Sequence, residues 1–137
     1  MIHLLTQNGS ILRIELMPWN NDTRYAQYSN FSVGDESSKY RLSVSGFSGN
    51  VYHDAMAFTD GQQFSTYDNE NDVWVGNCAV DYRGAWWYGG CSHTNLNGPY
   101  VQDTGDTHLS MYWWQLYVDR NDIPMMKSRM MVKNPGV

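Results

Sequence analysis

Five oxygen-bearing side chains fall in a row at Asp68, Asn69, Glu70, Asn71 and Asp72. Oxygen-only ligands in a loop suit a hard cation such as Ca²⁺, which takes six to eight oxygens, backbone carbonyls among them. An EF-hand would place Gly at the sixth position and Glu at the twelfth. Counted from Asp68, those positions hold Val73 and Ala79, so the loop is not an EF-hand. A solvated acidic turn is the competing reading, because Asn and Asp are ordinary turn formers. Residue chemistry alone leaves the two level.

Cys78 and Cys91 are the only cysteines. Their spacing lacks a CxxC pair and no histidines cluster nearby, which argues against zinc. A disulfide or a pair of buried thiols remains. His3, His53, His93 and His108 show no metal-ligand spacing. His53-Asp54 has no convincing nucleophile near it, and Ser92-His93 is adjacency in sequence, whereas triad members meet in space. The chemistry therefore points away from an enzyme. Trp86-Trp87 invites a sugar-stacking reading, although two adjacent indoles more simply fill a core.

The run from Gln63 to Tyr100, which holds the acidic loop, both cysteines, Trp86-Trp87 and Asn95-Leu96-Asn97-Gly98, closely resembles the C-terminal half of a fibrinogen-like domain. This is the recognition module of ficolins, tachylectins, angiopoietins and fibrinogen chains. The resemblance implies calcium held by the side chains of Glu70 and Asp72 and the carbonyls of Trp74 and Gly76. Glu70 departs from the family's usual Asp. It also implies a Cys78–Cys91 disulfide, hence an oxidising, extracellular compartment, with a closed loop stabilising the fold by roughly 3 kcal/mol. Trp86-Trp87 becomes structural packing. Three sequons, at Asn8, Asn21 and Asn30, lend weak support to secretion.

In the acetyl-binding members, a cis peptide precedes the second cysteine, and backbone N–H groups there donate to the acetyl carbonyl. Carried over, Gly90–Cys91 is the cis bond, the amides of Cys91 and Ser92 are the donors, and Tyr82 is an aromatic wall. Here the residue after the second cysteine is Ser92 rather than the usual His, with His93 displaced by one. The family's Tyr-Ala-Asp-Gly segment gives way to Asp106–Ser110, so a second wall becomes His108, and a third falls near Ile123. The implied function is a secreted, calcium-dependent, lectin-like module that binds acetylated or other surface glycans in innate defence. The alternatives are a receptor- or protein-binding module of angiopoietin or fibrinogen type, and a fragment that does not fold alone.

Composition sets the frame for these sites. The 137 residues suffice for one domain with a real core. A net charge of −5 without basic runs makes nucleic acid a poor partner. No apolar run is long enough for a transmembrane helix, and no signal peptide precedes the first strand. Ile2-His3-Leu4-Leu5-Thr6 resembles an internal family segment, so the expectation is a domain lacking its first subdomain. Such a loss would expose a sheet edge or an apolar face. Multimers would form only through upstream segments.

The expected class is α+β, fibrinogen C-terminal-like: a twisted antiparallel sheet with short helices and a loop-rich calcium and ligand subdomain. Residues 1–62 would form the central sheet part and 63–137 the loop-rich part with closing strands. The alternation of Ser10 to Met17 predicts a strand with one core face. Tyr25–Val33, Lys39–Ser45, Met111–Tyr117 and Ser128–Lys133 predict further strands, and His53–Ala57 a short helix before the Asp60-Gly61 turn. Irregular loop is expected from Asn69 to Gly105.

Overall fold

A computed structural model describes residues 9–102 and 106–135. The segment Ile2–Thr6, His3 and the sequon residue Asn8 lie outside the described residues. Six strands form one antiparallel sheet: β1 (Ile11–Pro18), β2 (Arg24–Val33), β3 (Leu42–Gly49), β4 (Thr94–Asn95), β5 (Tyr112–Tyr117) and β6 (Arg120–Lys133). The order across the sheet is β3-β2-β1-β6-β5-β4. The sheet dominates, and the helical part is one turn, α1 (Cys78–Asp81), with three 3₁₀ turns at Glu36–Ser38, Ala57–Thr59 and Thr107–Leu109.

β1 shows why the sheet holds together. Its side chains alternate strictly, and Leu12, Ile14 and Leu16 are fully buried while Arg13 and Glu15 face outward. On the outer face Glu15 accepts from Arg13 (3.2 Å) and from Arg129 of β6 (2.8 Å), and these guanidinium groups hold its carboxyl below the ordinary range. The inner face meets Tyr28, Phe31, Val33, Leu42, Val44, Trp86, Trp113 and Leu116 in one apolar cluster. Trp86 and Trp87 are both buried, their rings 5.1 Å apart, so the pair is core.

Several boundaries differ from the sequence expectation. The strand expected at Lys39 starts at Leu42, because Lys39 and Tyr40 are left-handed (φ 56° each) after a 3₁₀ turn capped by Asp35. It then continues to Gly49, past the expected end at Ser45. Gly46 makes this extension feasible: it has φ 75°, and a Cβ there would lie 1.8 Å from Ser29 Oγ. The helix expected at His53–Ala57 is absent. His53 N–H donates instead to Gln115 O of β5 (3.1 Å), and a 3₁₀ turn follows at Ala57–Thr59. The segment read as irregular contains α1 and β4. β6 begins at Arg120, eight residues earlier than expected, because its first half pairs with β5 before its second half pairs with β1.

Ile14 lies opposite Ala26 on one side and Met130 on the other, with no exposed surface. Ile14→Ala should therefore cost about 2–5 kcal/mol of unfolding free energy in urea titrations. A loss below about 1 kcal/mol would mean that the sheet does not close around β1.

Candidate functional site

The acidic loop is built by its own polar groups. Thr66 and Asn69 exchange backbone hydrogen bonds (3.1 and 3.2 Å), and Asn71 N–H donates to Ser65 Oγ (2.9 Å). Asp72 is the pivot. Its Oδ1 accepts from Trp74 N–H (2.9 Å) and its Oδ2 from Cys78 N–H (3.0 Å). The loop's carboxylate is thus tied directly to the first residue of α1. Loss of solvation and the neighbouring Asp72 carboxylate push the Glu70 carboxyl above its ordinary range.

This donor set fits a hard cation. Glu70 and Asp72 are close enough to disfavour joint ionisation, and each carboxylate oxygen of Asp72 keeps a lone pair beyond its amide bond. A divalent ion relieves that repulsion. The Trp74 ring folds over Gly76, where an added Cβ would meet it at 2.6 Å, so a side chain there would displace the ring. Among the described residues, no group of three or more His, Cys, Asp or Glu gathers at one point, and backbone carbonyls would have to complete the shell.

The acidic loop also backs onto the second cysteine. Val73 N–H reaches Gly89 O (3.4 Å), and Cys78 is joined to Cys91 by a disulfide. The Gly90–Cys91 peptide is cis, as the resemblance implied. Gly89 N–H closes onto Cys91 O (2.7 Å), and Tyr112 Oη donates to Ser92 O (2.6 Å). The carbonyls of this segment are therefore engaged. Two of its amides are not: Cys91 and Ser92 are 8% and 7% exposed as residues, and no acceptor for either N–H is found among the described residues.

α1 positions Tyr82. Asn77 caps the helix by accepting from Val80 N–H (3.2 Å), and Tyr82 N–H closes the turn on Cys78 O (2.8 Å). Asn95 anchors the same residue from the far side: its Nδ2 donates to Tyr82 O (3.0 Å) while its Oδ1 accepts from Tyr88 Oη (2.7 Å). Burial holds the Tyr88 phenol well above its ordinary range, so it serves as a neutral donor. The Tyr82 ring lies 5.3 Å from His108, which stands edge-on to Tyr112 at 5.3 Å. The structure thus brings together Tyr82, His108 and, through Tyr112, the Cys91–Ser92 segment. Ile123 instead pairs with Trp113 and packs on the core. Sequence reasoning missed Tyr112, whose only signal was its place in an aromatic strand.

Elsewhere, Phe31, Val33, Tyr40, Phe64, Trp86 and Trp87 line an open apolar groove of about 460 Å³. The buried Nε1 of Trp86 has no hydrogen-bond partner among the described residues. The groove lies apart from the acidic loop and the cis peptide.

Residues 1–135 match the family model described as fibrinogen beta and gamma chains, C-terminal globular domain. Fibrinogen-like protein A of Apostichopus parvimensis is 41% identical over 133 residues, covering 94% of this chain and 46% of that protein. The fibrinogen-like globe domain of human ANGPTL6 superposes with a TM-score of 0.89 at 28% identity, over 99% of this chain and 62% of that one. A lamprey fibrin D-dimer, complexed with the peptide ligand Gly-His-Arg-Pro-amide, gives a TM-score of 0.81 at 29% identity, over 99% of this chain and 51% of that one. The chain therefore spans less than two thirds of each of these relatives.

A raised Glu70 pKa means that the folded state holds that proton more readily than the unfolded chain. The stability it contributes is present at low pH and is lost as pH rises through the folded value. In a chelator, Glu70→Gln should then be more stable than the native chain near pH 7, with the difference closing toward about pH 4. Urea unfolding at both pH values checks this, and a less stable variant at pH 7 would contradict the carboxylate pairing.

Proposed function

The chain belongs to the fibrinogen C-terminal globular domain family, and from that premise we propose that it is an extracellular, calcium-dependent recognition module with a lectin-like site for acetylated or other surface glycans. Membership supports a binding module. The finer reading rests on one observation: the amides of Cys91 and Ser92, two nearly buried residues, lack an acceptor among the described residues. Buried backbone donors are almost always paired, so a pair held without an acceptor beside an aromatic wall favours a ligand carbonyl. An acetamido oxygen suits both donors, and its methyl suits Tyr82 and His108.

Calcium, when bound, supplies a fixed double positive charge that removes the conflict between Glu70 and Asp72. The chain's own part is positional. Asp72 holds Cys78 N–H, Cys78 holds Cys91, and Cys91 presents its amide together with that of Ser92. An ordered acidic loop in this way holds the segment that carries the two donors in place. The disulfide favours an oxidising, extracellular setting.

A second reading is carried by the peptide complex of the lamprey fibrin relative. The same amides can receive a peptide carbonyl, and Ser92 in place of the family's usual His relaxes sugar selectivity. The two readings part on competition. Binding of N-acetylglucosamine, measured calorimetrically, should require calcium, be lost in chelator, and weaken at least about tenfold in Tyr82→Ala. Calcium-raised thermal stability with no response to N-acetylated sugars would replace the glycan reading with the peptide one. A transition indifferent to calcium would remove the calcium-dependent part.

A further inference from the structure

Two histidines that play no part in the proposed glycan site face each other across the chain. His53 Nε2 and His93 Nδ1 are 3.1 Å apart, although 40 residues separate them. Their positions are held from the backbone. His53 N–H donates to Gln115 O (3.1 Å), and its carbonyl accepts from the Trp113 indole (2.9 Å). His93 O accepts from Trp114 N–H (2.8 Å). Both residues are therefore tied to consecutive positions of β5, where Gln115 adopts a left-handed conformation (φ 48°) and the β5–β6 register shifts.

The ring planes are fixed as well. Trp114 lies 4.6 Å from each imidazole, edge-on to His53, and Phe58 stacks on His93 at 4.4 Å. Both histidines are only partly buried. Two imidazole nitrogens bound to one tetrahedral ion at about 2.05 Å would sit about 3.3 Å apart. The observed separation is within a few tenths of an ångström of that value.

We infer that His53 and His93 form a two-imidazole site for a late first-row divalent cation, of which Zn²⁺ is the type. Neutral imidazole is a ligand for zinc, copper and nickel, whereas calcium takes oxygen donors. The site is thereby chemically distinct from the loop at Glu70 and Asp72. Among the described residues no third His, Cys or carboxylate joins the pair. Asp54, the neighbouring carboxylate, accepts from Tyr28 Oη (2.5 Å) and from Ala57 N–H (3.2 Å). Water fills the remaining positions. Binding replaces the hydrogen bond between the rings with two metal–nitrogen bonds, and the proton between them moves to the outer nitrogen of its own ring, so that both imidazoles stay neutral.

The test is a Zn²⁺ titration of the full, oxidised chain in excess Ca²⁺, followed by NMR of the imidazole nitrogens. The His53 and His93 signals should move together to an end point at one ion per chain, while His108 stays in place. His53→Ala and His93→Ala should each weaken Zn²⁺ binding by about tenfold or more, because the second ligand acts intramolecularly. Signals of His53 and His93 that stay unmoved at saturating Zn²⁺ in the native chain would overturn the site, whether or not either variant folds. Equal binding by both folded variants would overturn it too.

Discussion

The covalent bond between Cys78 and Cys91 governs how the loop-rich half is arranged. Between Gln63 and Tyr100 the only strand among the described residues is the two-residue β4, so this stretch takes little of its shape from sheet pairing. The disulfide joins two otherwise separate constructions. On one side Cys78 begins α1 and gives its N–H to Asp72; on the other Cys91 follows a cis peptide and leads into Ser92. A charge placed near Glu70 and Asp72 is therefore connected to the Cys91–Ser92 segment through one hydrogen bond and one covalent link. Loops positioned by such a scaffold are where binding residues concentrate.

Around that link, buried polar groups replace the sheet as the organising force. Asn95 shows this best. It is fully buried, pairs with β5 through its backbone, and uses its amide group to bridge Tyr82 and Tyr88. Thr94 and Ser92 are buried too, with Thr94 Oγ1 donating to Tyr112 O and Thr94 N–H to Ser92 Oγ. A buried network of this kind specifies one arrangement only when its members are satisfied. Against that background, the amides of Cys91 and Ser92, for which no acceptor is found among the described residues, are an exception.

How much of this was legible in the sequence follows from range. The alternation of β1 is local and was readable, as was the turn at Gly34–Ser38, where Asp35 caps its own neighbours. The start of β3 was not, because the left-handed pair Lys39-Tyr40 carries no glycine to announce it. The early start of β6 depends on β5 lying beside it, a fact of tertiary pairing. Tyr82, Cys91 and Ser92 were reached only through resemblance, since backbone donors leave no residue signature. The contact between His53 and His93 was invisible for the same reason: forty residues apart, they meet only because β5 gathers both segments.

β5 is thus the element that couples the two candidate sites. Tyr112 bonds Ser92 O, Trp114 bonds His93 O, and Ser92 and His93 are consecutive. One peptide unit separates an amide assigned to glycan recognition from an imidazole assigned to metal. A ligand that shifts either residue must move the peptide they share, and linkage then requires the effect to run equally in both directions. The left-handed Gln115 and the β5–β6 register shift lie just beyond both contacts, so Tyr112 to Trp114 is the regular stretch that would carry any such coupling. Independence of the two sites would require the backbone of Ser92 and His93 to be held so firmly by Tyr112, Trp114 and the disulfide that neither ligand displaces it.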